Sequence, residues 1–546
     1  MGKNKYMLFV LVVVSNCLFA QVNQEKYIVY FKDKSHTQDI MQQFSEKALA
    51  KRQKFNIQFD ERDYPVNNLY TDQLKNEQIT ILNTSSWLNA VMVLADEKKM
   101  SAIKQMSFVA SVTKINNNKL QEGIASIEEI DECSDLNGIQ TFEDNYTYSF
   151  SQFHLLKGEY LHEQGFNGEN MTIAICDNGF YNANNNKVFD HIFSDKRLLG
   201  TYDYVDGDSL VFNDNAGKHG AACLSFIGGI KSIGGARPDQ YIGTAVKSNF
   251  YLFHTEDNRG ERLQEEFNLA AALERCTQLG VDVVSISLGY NTFDVLSENH
   301  DTSDMHKNNT PAAKAVNIAS SKGILVCVAA GNQAGWQYIM TPSDADSAFC
   351  IASVDVNGVV APSSSIGLPG DPRIKPNVAA AGQSVYFLND AGNIAVGSGT
   401  SFATPSLAGM AACLWQAYPN KSNWEIKTAI EQSASQYLTP DKRIGYGIPD
   451  FQKAYNLLST PTFVTNRSLE NEISVYPNPF QSGLNIVCQS NLRVENILVM
   501  NNVGQTIYSL SHPAENTLAL NDLPKGMYLL QIETDKGMLI KKIIKD

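Results

Sequence analysis

Short apolar runs recur between residues 147 and 458, and helical stretches separate them. The runs are nearly continuous in apolar residues: MTIAICD, NFYLFHT, VDVVSISLG, GILVCVAAGN and FCIASVD. Strands of this kind are typical of a parallel sheet that helices cover on both faces. One such helix is predicted over residues 265–280, where Gly280 ends it. The pattern predicts a large α/β domain that binds ligands at the carboxyl ends of its strands.

Residues 21–119 show a different pattern. The alternating strand KYIVYFKD comes first, a helical stretch follows at residues 44–54, and LNAVMVLA and SFVASVTKI are later predicted strands. These segments predict a small α+β domain. Residues 120–146 contain no Lys or Arg and include the acidic run EEIDE, so we predict a solvated connector there.

The two ends of the chain differ from the domains between them. Residues 1–20 carry two lysines, an apolar run and a small residue at Ala20, which predicts a secretory signal peptide. Lipidation at Cys17 is less favoured, because Asn16 precedes it in place of a small residue. After a linker at 459–472, short alternating strands with Asn, Pro and Gly turns predict an all-β module over 473–546.

Composition narrows the function. The formal net charge is −14, from 44 Lys and Arg against 58 Asp and Glu, and this argues against a nucleic-acid partner. No later stretch reaches the ~18 apolar residues of a spanning helix, so we expect an exported protein without a transmembrane segment. Six cysteines lie in apolar patterns without CxxC spacing and are predicted to be buried hydrophobic residues. These are Cys176, Cys223, Cys276, Cys327, Cys350 and Cys413, and their disulfide pairing stays open.

Four polar residues stand where predicted strands end or helices begin. Asp177 and Asn332 each close a strand, and His219 and Ser401 each head a helix. A nucleophilic hydroxyl requires a base, a group that orients the base, and donors for an oxyanion. These four residue types supply one of each. Taken singly, Asp177 also fits a helix cap, His219 a core histidine and Asn332 a turn residue, so the hypothesis depends on their convergence.

Pro405 follows Ser401 by four residues in the helical stretch GSGTSFATPSLAG. The N–H groups of a first helical turn have no partners within the helix, so a proline costs little there. We therefore predict that Pro405 lies in the first turn and that Ser401 lies at the N-terminus. Exposed N–H groups at that end favour developing negative charge.

These segments resemble those of the subtilisin-like serine proteases, the subtilase family. ICDNGF is similar to the family's aspartate segment, HGAACLSFIGG to its histidine segment, AAGN to its oxyanion segment and GTSFATPSLAG to its serine segment. The resemblance implies a three-layer α/β fold with a mostly parallel central sheet. It also implies a serine endopeptidase in which Asp177, His219 and Ser401 form the triad and Asn332 is an oxyanion donor.

The resemblance further implies the residues that contact substrate. These are Ser287, Leu288 and Gly289, whose backbone pairs with a bound peptide, together with Ala330 and Gly331. Glu256 ends a strand on the same face. Its favoured interpretation is a carboxylate tied to local backbone, and the weaker one is a subsite for basic residues.

Two segments depart from the family pattern. Ala221 and Ala222 stand where the family usually has a threonine and often a second histidine, so we expect altered tuning of His219. Asn178 replaces the commoner Thr or Ser after the aspartate, and its side chain is expected to donate a hydrogen bond there. An α/β-hydrolase is less favoured, because Ala403 fills the last glycine position of GxSxG.

The flanking domains carry resemblances of their own. Residues 21–119 resemble a subtilase propeptide, which assists folding and inhibits the enzyme, with a cut predicted between Ile115 and Tyr146. SVYPNPF, VGQTIYS, LPKGMYLLQI and KKIIKD resemble the C-terminal sorting domain of type IX secretion cargo. This implies a secreted or cell-surface protein of a Gram-negative bacterium, with the type IX secretion machinery and protein or peptide substrates as partners.

The resemblance also bears on cofactors and on an alternative function. The chemistry requires no cofactor, and structural calcium, which family members often carry, has no ligands that this sequence identifies. The alternative function is a non-catalytic cell-surface binding protein that keeps the subtilase scaffold, although such a protein has no physical need of all four polar residues.

Overall fold

The computed structural model describes residues 24–34, 40–115, 148–213, 217–232, 241–306, 309–332, 337–459, 472–488, 492–500, 506–511, 513, 517–535 and 537–546. The predicted signal peptide, the acidic connector and most of the linker lie outside these residues. The chain divides into two compact units, residues 1–457 and 458–546.

The N-terminal domain is a four-stranded antiparallel sheet with the order β2-β3-β1-β4. Its elements are β1 (Glu25–Phe31), α1 (Glu46–Lys54), α2 (Asn68–Asn76), β2 (Thr80–Ser85), β3 (Ala90–Ala95), α3 (Glu97–Ile103) and β4 (Val109–Lys114). Two 3-10 helices, Ile40–Gln43 and Glu61–Asp63, flank α1. One sheet face packs against α2 and α3 through Val29, Val91, Leu74 and Met100. The α+β prediction is confirmed, and the more polar strand β2 is an addition to it.

The central domain contains a seven-stranded sheet with the order β13-β12-β11-β10-β5-β9-β6. Its elements up to the middle of the sheet are α4 (Phe150–His154), α5 (Glu159–Glu163), β5 (Thr172–Asp177), α6 (Asp190–Ser194), β6 (Leu198–Asp203), α7 (His219–Gly228), β7 (Ile230–Lys231), β8 (Tyr241–Ile242), β9 (Asn249–His254), α8 (Gln264–Leu279) and β10 (Val283–Ile286). The remaining ones are α9 (Thr302–His306), α10 (Pro311–Ser321), β11 (Leu325–Ala329), β12 (Phe349–Val354), β13 (Val378–Ala381), β14 (Val385–Leu388), β15 (Ile394–Gly397), α11 (Thr400–Ala417), α12 (Asn423–Ser433) and α13 (Phe451–Ser459).

All neighbouring strands of this sheet are parallel, as predicted. Helices α8 and α10 pack on one face, where Ala174, Val284 and Val326 belong to the same core as the alanines of both helices. Helices α7 and α11 contact each other and the strands from the opposite face. Gly280 ends α8 with a φ of 74°, a left-handed conformation that glycine adopts without strain.

The N-terminal domain is seated on α8 and on the amino ends of the central strands. The Glu274 carboxylate on α8 accepts hydrogen bonds from the backbone N–H groups of Ser86 (2.8 Å) and Trp87 (3.2 Å). At the amino ends, Lys51 Nζ lies 2.6 Å from Asp282 Oδ1, and Lys322 Nζ lies 2.6 Å from Asp63 Oδ2. These ion pairs are nearly excluded from solvent, so each domain satisfies a buried charge of the other.

The C-terminal unit is a small β-sandwich, as predicted. Sheets with the orders β16-β17-β20 and β19-β18-β21-β22 share a core that includes Leu484, Ile497, Leu530 and Ile543. The strands are β16 (Ile473–Tyr476), β17 (Gly483–Cys488), β18 (Val494–Met500), β19 (Thr506–Ser511), β20 (Thr517–Ala519), β21 (Gly526–Thr534) and β22 (Gly537–Lys545).

Cysteine placement follows the prediction. The six apolar-pattern cysteines of the central domain are buried free thiols in the described structure.

Candidate active site

The carboxyl ends of β5, β10 and β11 meet at one edge of the sheet. In the parallel register Ile286 lies opposite Cys176 on one side and Val328 on the other. Asp177 and Ser287 therefore follow at the same level, and the extension of β11 carries Asn332. This edge is where open α/β sheets place their ligands.

Asp177 and His219 form a buried pair at this edge. His219 is the first residue of α7, and its Nδ1 lies 2.7 Å from Asp177 Oδ1. Asp177 is fully buried, whereas the His219 side chain remains 15% exposed. A methyl group at Gly220 would lie 2.9 Å from Asp177 Cβ, so glycine allows α7 to begin this close to β5. Because Nδ1 faces the carboxylate, Nε2 is the nitrogen left to act as a base.

The pair sets the protonation of the imidazole. Burial disfavours the charged ring, but the neighbouring Asp177 carboxylate outweighs burial and raises the pKa of His219 well above its usual value. The carboxylate itself also accepts the backbone N–H of Asn178 at 2.8 Å. The expected donor was the Asn178 side chain, but that side chain lies against Gly217 and the backbone donates in its place.

Pro405 lies inside α11, in its second turn. Gly399 is the N-cap and Thr400 the first helical residue, so the prediction of a first-turn proline is wrong. In a regular helix the N–H of residue 405 would bond to the carbonyl of Ser401. Proline lacks that donor, and the carbonyl is therefore free to bind outside the helix.

The Ser401 carbonyl binds side chains from two other elements. Ser287 Oγ donates to it at 2.9 Å, and Cys223 Sγ on α7 donates at 3.5 Å. Burial raises the pKa of the Cys223 thiol, which keeps the proton needed for this contact. Sequence reasoning treated Cys223 only as a buried hydrophobic residue. Its position four residues after His219 was the signal, because residues four apart share a helix face.

Cys223 also connects Ser401 to His219. Its Sγ lies 3.7 Å from His219 Nδ1, and the His219 ring lies 6.1 Å from the ring of Phe402, the next residue after Ser401. The Ser401 hydroxyl donates to the carbonyl of Ser287 at 3.3 Å, not to the imidazole. In a substrate-free site, catalytic hydrogen bonds are often long or poorly aligned, and they tighten when substrate binds.

Asn332 is held by the residue before Ser401. Its Oδ1 accepts the backbone N–H of Thr400 at 2.7 Å and the Thr400 hydroxyl at 3.0 Å. Since both donors fix the amide oxygen, the Nδ2 group faces the turn at Gly399, where an added methyl group would lie 3.2 Å away. The Gly331 N–H donates to the Thr400 hydroxyl at 3.1 Å. Thr400 was not predicted, although it directly precedes Ser401 in GTSFATP.

Comparisons with known proteins identify the family of this chain. Residues 168–447 match the model of the subtilase family (Peptidase S8). The chain belongs to the subtilase family. It is 28% identical over 313 residues to the serine protease AprX of Bacillus subtilis, covering 52% of this chain and 65% of AprX. It is 30% identical to thermitase of Thermoactinomyces vulgaris, covering 49% of this chain and 82% of thermitase.

Among solved structures, MycP1 of Mycobacterium smegmatis is 21% identical. The match covers 58% of this chain and 87% of that protein, with a TM-score of 0.44.

Family models also match the flanking domains of this subtilase. Residues 26–128 match a peptidase S8 propeptide domain of Bacteroidota, and residues 474–546 match a secretion-system C-terminal sorting domain. The chain is thus a serine-type endopeptidase made with a propeptide and a type IX sorting domain, and it is secreted or placed on the cell surface. Among the described helices, none has the length and apolar character to cross a membrane.

The predicted substrate residues of the subtilase domain have different surroundings. Ser287, Ala330 and Gly331 are buried, and Leu288 and Gly289 are partly exposed beside Ser401. Glu256 lies below them, with 9% exposure, and accepts hydrogen bonds from the Tyr290 hydroxyl (2.8 Å) and Thr255 Oγ1 (3.0 Å).

Glu256 does not fit a carboxylate that lines a subsite. Burial, with the nearby Glu261 carboxylate, raises the pKa of Glu256 to about 8, so the group is largely protonated at neutral pH. A neutral, buried acid does not attract basic residues of a substrate. The weaker interpretation of Glu256 is therefore corrected in favour of a structural role.

The described residues include one group with the spacing of metal ligands. Among the described residues, Asp177, His219 and Cys223 are the group of three whose ligand atoms lie within 4.8 Å of one another. A thiol and an imidazole do not fit calcium, which takes oxygen ligands. Structural calcium thus stays a prediction without assigned ligands.

The Asp177–His219 pair predicts the pH dependence of activity. The imidazole must be neutral to accept a proton, so kcat/KM should fall as pH drops through the raised pKa, above the usual 6.5 of histidine. Asp177→Asn removes the charge that raises the pKa and should move this acid limb to lower pH. The same variant should lower kcat by roughly 10⁴-fold. Peptide hydrolysis across pH measures both effects, with Asp355→Asn, in a surface turn, as the control. An unmoved limb in Asp177→Asn contradicts the assignment.

The position of Pro405 inside α11 predicts that replacing it raises the stability of the protein and lowers its activity. Pro405→Ala supplies an N–H that bonds to the Ser401 carbonyl and competes with Ser287 Oγ. The free energy of unfolding should rise by about 1–3 kcal/mol, since proline is unfavourable inside a helix. The kcat should fall several-fold, because the new N–H weakens the hydrogen bond from Ser287 Oγ to the Ser401 carbonyl, which contributes about 1 kcal/mol. Urea denaturation and peptide hydrolysis measure the two, and Pro419→Ala, in the turn after α11, is the matched control. Unchanged kcat would show that the free carbonyl has no role.

Proposed function

We propose that this subtilase cleaves peptide bonds with Ser401 as nucleophile, His219 as general base, Asp177 as its orienting group and Asn332 as oxyanion donor. The observation that carries the proposal is the buried Asp177–His219 pair, at 2.7 Å, on the sheet edge that also holds Ser401. Protein or peptide chains are the substrates. No cofactor takes part in the chemistry.

The proposed proton steps use these four residues in turn. Ser401 Oγ attacks the carbonyl carbon of the substrate and passes its proton to His219 Nε2, while Asp177 stabilises the imidazolium through Nδ1. The negative oxygen that forms accepts hydrogen bonds from Asn332 Nδ2 and from the Ser401 N–H at the start of α11. Nε2–H then donates to the leaving amine as the C–N bond breaks. Water then attacks the acyl carbon and gives a proton to His219 Nε2. The bond from this carbon to Ser401 Oγ breaks as Nε2–H returns the proton to Oγ.

We further propose that the enzyme cuts its own connector. Ile115, the last described residue before the connector, is buried in one cluster with Phe267, which lies in the first turn of α8. Helix α8 begins after the carboxyl end of β9, which is parallel to β5. Ile115 thus lies beside the end of α8 that follows this edge of the sheet, and this supports cleavage within the same chain.

The alternative of a non-catalytic binding protein has no specific support. The contacts of Thr400 orient the Asn332 amide, and those of Asp177 orient the His219 ring. Binding alone gives no reason for either arrangement. The type IX secretion machinery is the proposed partner of the C-terminal module.

Self-processing and hydrolysis test the proposal together. Purified wild-type chain should release a fragment through a cut between Ile115 and Tyr146, and Ser401→Ala should stay intact, as shown by mass spectrometry. Asn332→Ala should lower kcat by about 10²–10³-fold with KM little changed, because its donor acts in the transition state. Asn184→Ala, in an exposed 3-10 helix, is the control. Processing of purified Ser401→Ala, or full kcat in Asn332→Ala, contradicts the assignment.

A further inference from the structure

Among the described residues, the space beside Ser401 limits the side chain of the substrate residue that carries the scissile carbonyl. Two segments flank Ser401: the Ser287 carbonyl accepts the Ser401 hydroxyl at 3.3 Å, and the Gly331 N–H donates to Thr400 at 3.1 Å. The α-carbon on the acyl side of the bond is joined directly to the attacked carbonyl. Its side chain must therefore start within a bond length or two of Ser401, between these segments.

A third segment closes the far end of this gap. Tyr290, just beyond Gly289, donates its backbone N–H to the Thr341 carbonyl at 2.7 Å. On the other side, the Gly331 carbonyl accepts the Ser365 N–H at 2.9 Å, and the Ile366 carbonyl accepts the Ile339 N–H at 2.8 Å. The stretch from Ile339 to Thr341 is thereby tied to both walls.

The side chain of Met340 fills the space between the walls. A methyl group placed on Gly289 would lie 2.9 Å from Met340 Cε, and one placed on Gly331 would lie 2.6 Å from the same atom. Both distances are shorter than a carbon–carbon contact permits. One methyl group of Met340 thus lies against the α-carbons of both glycines, where a large substrate side chain would have to pass.

Met340 is held in this position by its neighbours. It is 6% exposed and belongs to a buried cluster with Met305, Ala330, Cys350 and Leu368. Methionine is flexible, but close packing among the described residues of this cluster restrains the rotation of the thioether. Opening the gap therefore requires repacking of the core beneath it.

We propose that Met340 determines the cleavage specificity of this enzyme, by restricting the residue on the acyl side of the scissile bond to small side chains, glycine, alanine or serine. The inference rests on the proposed function of Ser401 and names the substrate class of that site. Met340 touches no reacting group in the proposed mechanism. Its effect is steric and depends on the size of one substrate residue.

Paired peptides test the inference. Two fluorogenic peptides that differ only in Ala or Phe before the scissile bond are compared on the processed wild-type enzyme, Met340→Ala and Met340→Gly. Wild type should cleave the Ala peptide at least about tenfold more efficiently, a typical penalty for excess volume in a pocket. Both variants should raise kcat/KM for the Phe peptide at least about tenfold and leave the Ala peptide nearly unchanged.

A matched control separates this effect from general loosening of the core. Met410→Ala removes the same side chain from a fully buried site on α11, against Gly158, and should leave the Phe-to-Ala ratio unchanged. Wild-type cleavage after Phe as efficient as after Ala overturns the inference whether or not the variants fold. Unchanged ratios in folded Met340 variants also overturn it, while the protease function stands. If folded wild type hydrolyses neither of the two peptides and no member of a peptide library, the inference and the proposed function are both overturned.

Discussion

The carbonyl group of Ser401 connects the elements that make up the active site. A backbone carbonyl that is withdrawn from water must find a donor, and Pro405 removes the donor that the helix would have supplied. Ser287, at the end of β10, and Cys223, on α7, take its place. Because α7 also carries His219, one carbonyl fixes Ser401 relative to both the sheet and His219. Pro405 thus contributes to the structure of the site, because it leaves the Ser401 carbonyl available to Ser287 and Cys223.

The parallel register of the sheet brings residues of the site to the same level at one edge. Asp177 and Ser287 reach the same level because β5 and β10 run side by side in the same direction. Asn332 joins them from the extension of β11, where Thr400 holds its amide oxygen. The Asp177 carboxylate raises the pKa of the His219 imidazole, although burial of the ring alone would lower it.

Much of this arrangement could be predicted from sequence because its signals are local. Apolar runs identify β5, β9, β10, β11 and β12, and each functional residue stands at the end of a run or the start of a helix. Strand β6 escaped prediction because it is a half-buried edge strand, LLGTYD, whose polar positions break the run. The burial of Glu256 depends on Tyr290, which comes from a different loop. The contact of Cys223 with the Ser401 carbonyl joins residues that are far apart in sequence. The role of Met340 depends on the volume that its side chain fills between Gly289 and Gly331, and no periodicity of the sequence indicates that volume.

The central claim is that Ser401 is a nucleophile activated by the imidazole of His219. Reaction with a fluorophosphonate tests it most directly, because the reagent phosphonylates an activated serine hydroxyl and needs no knowledge of the preferred peptide. Intact-mass and peptide-mapping measurements on the folded, processed protein should show one adduct, on Ser401, that forms far more slowly in His219→Ala. An adduct on another residue, or labelling of Ser401 at the same rate without His219, would contradict the account.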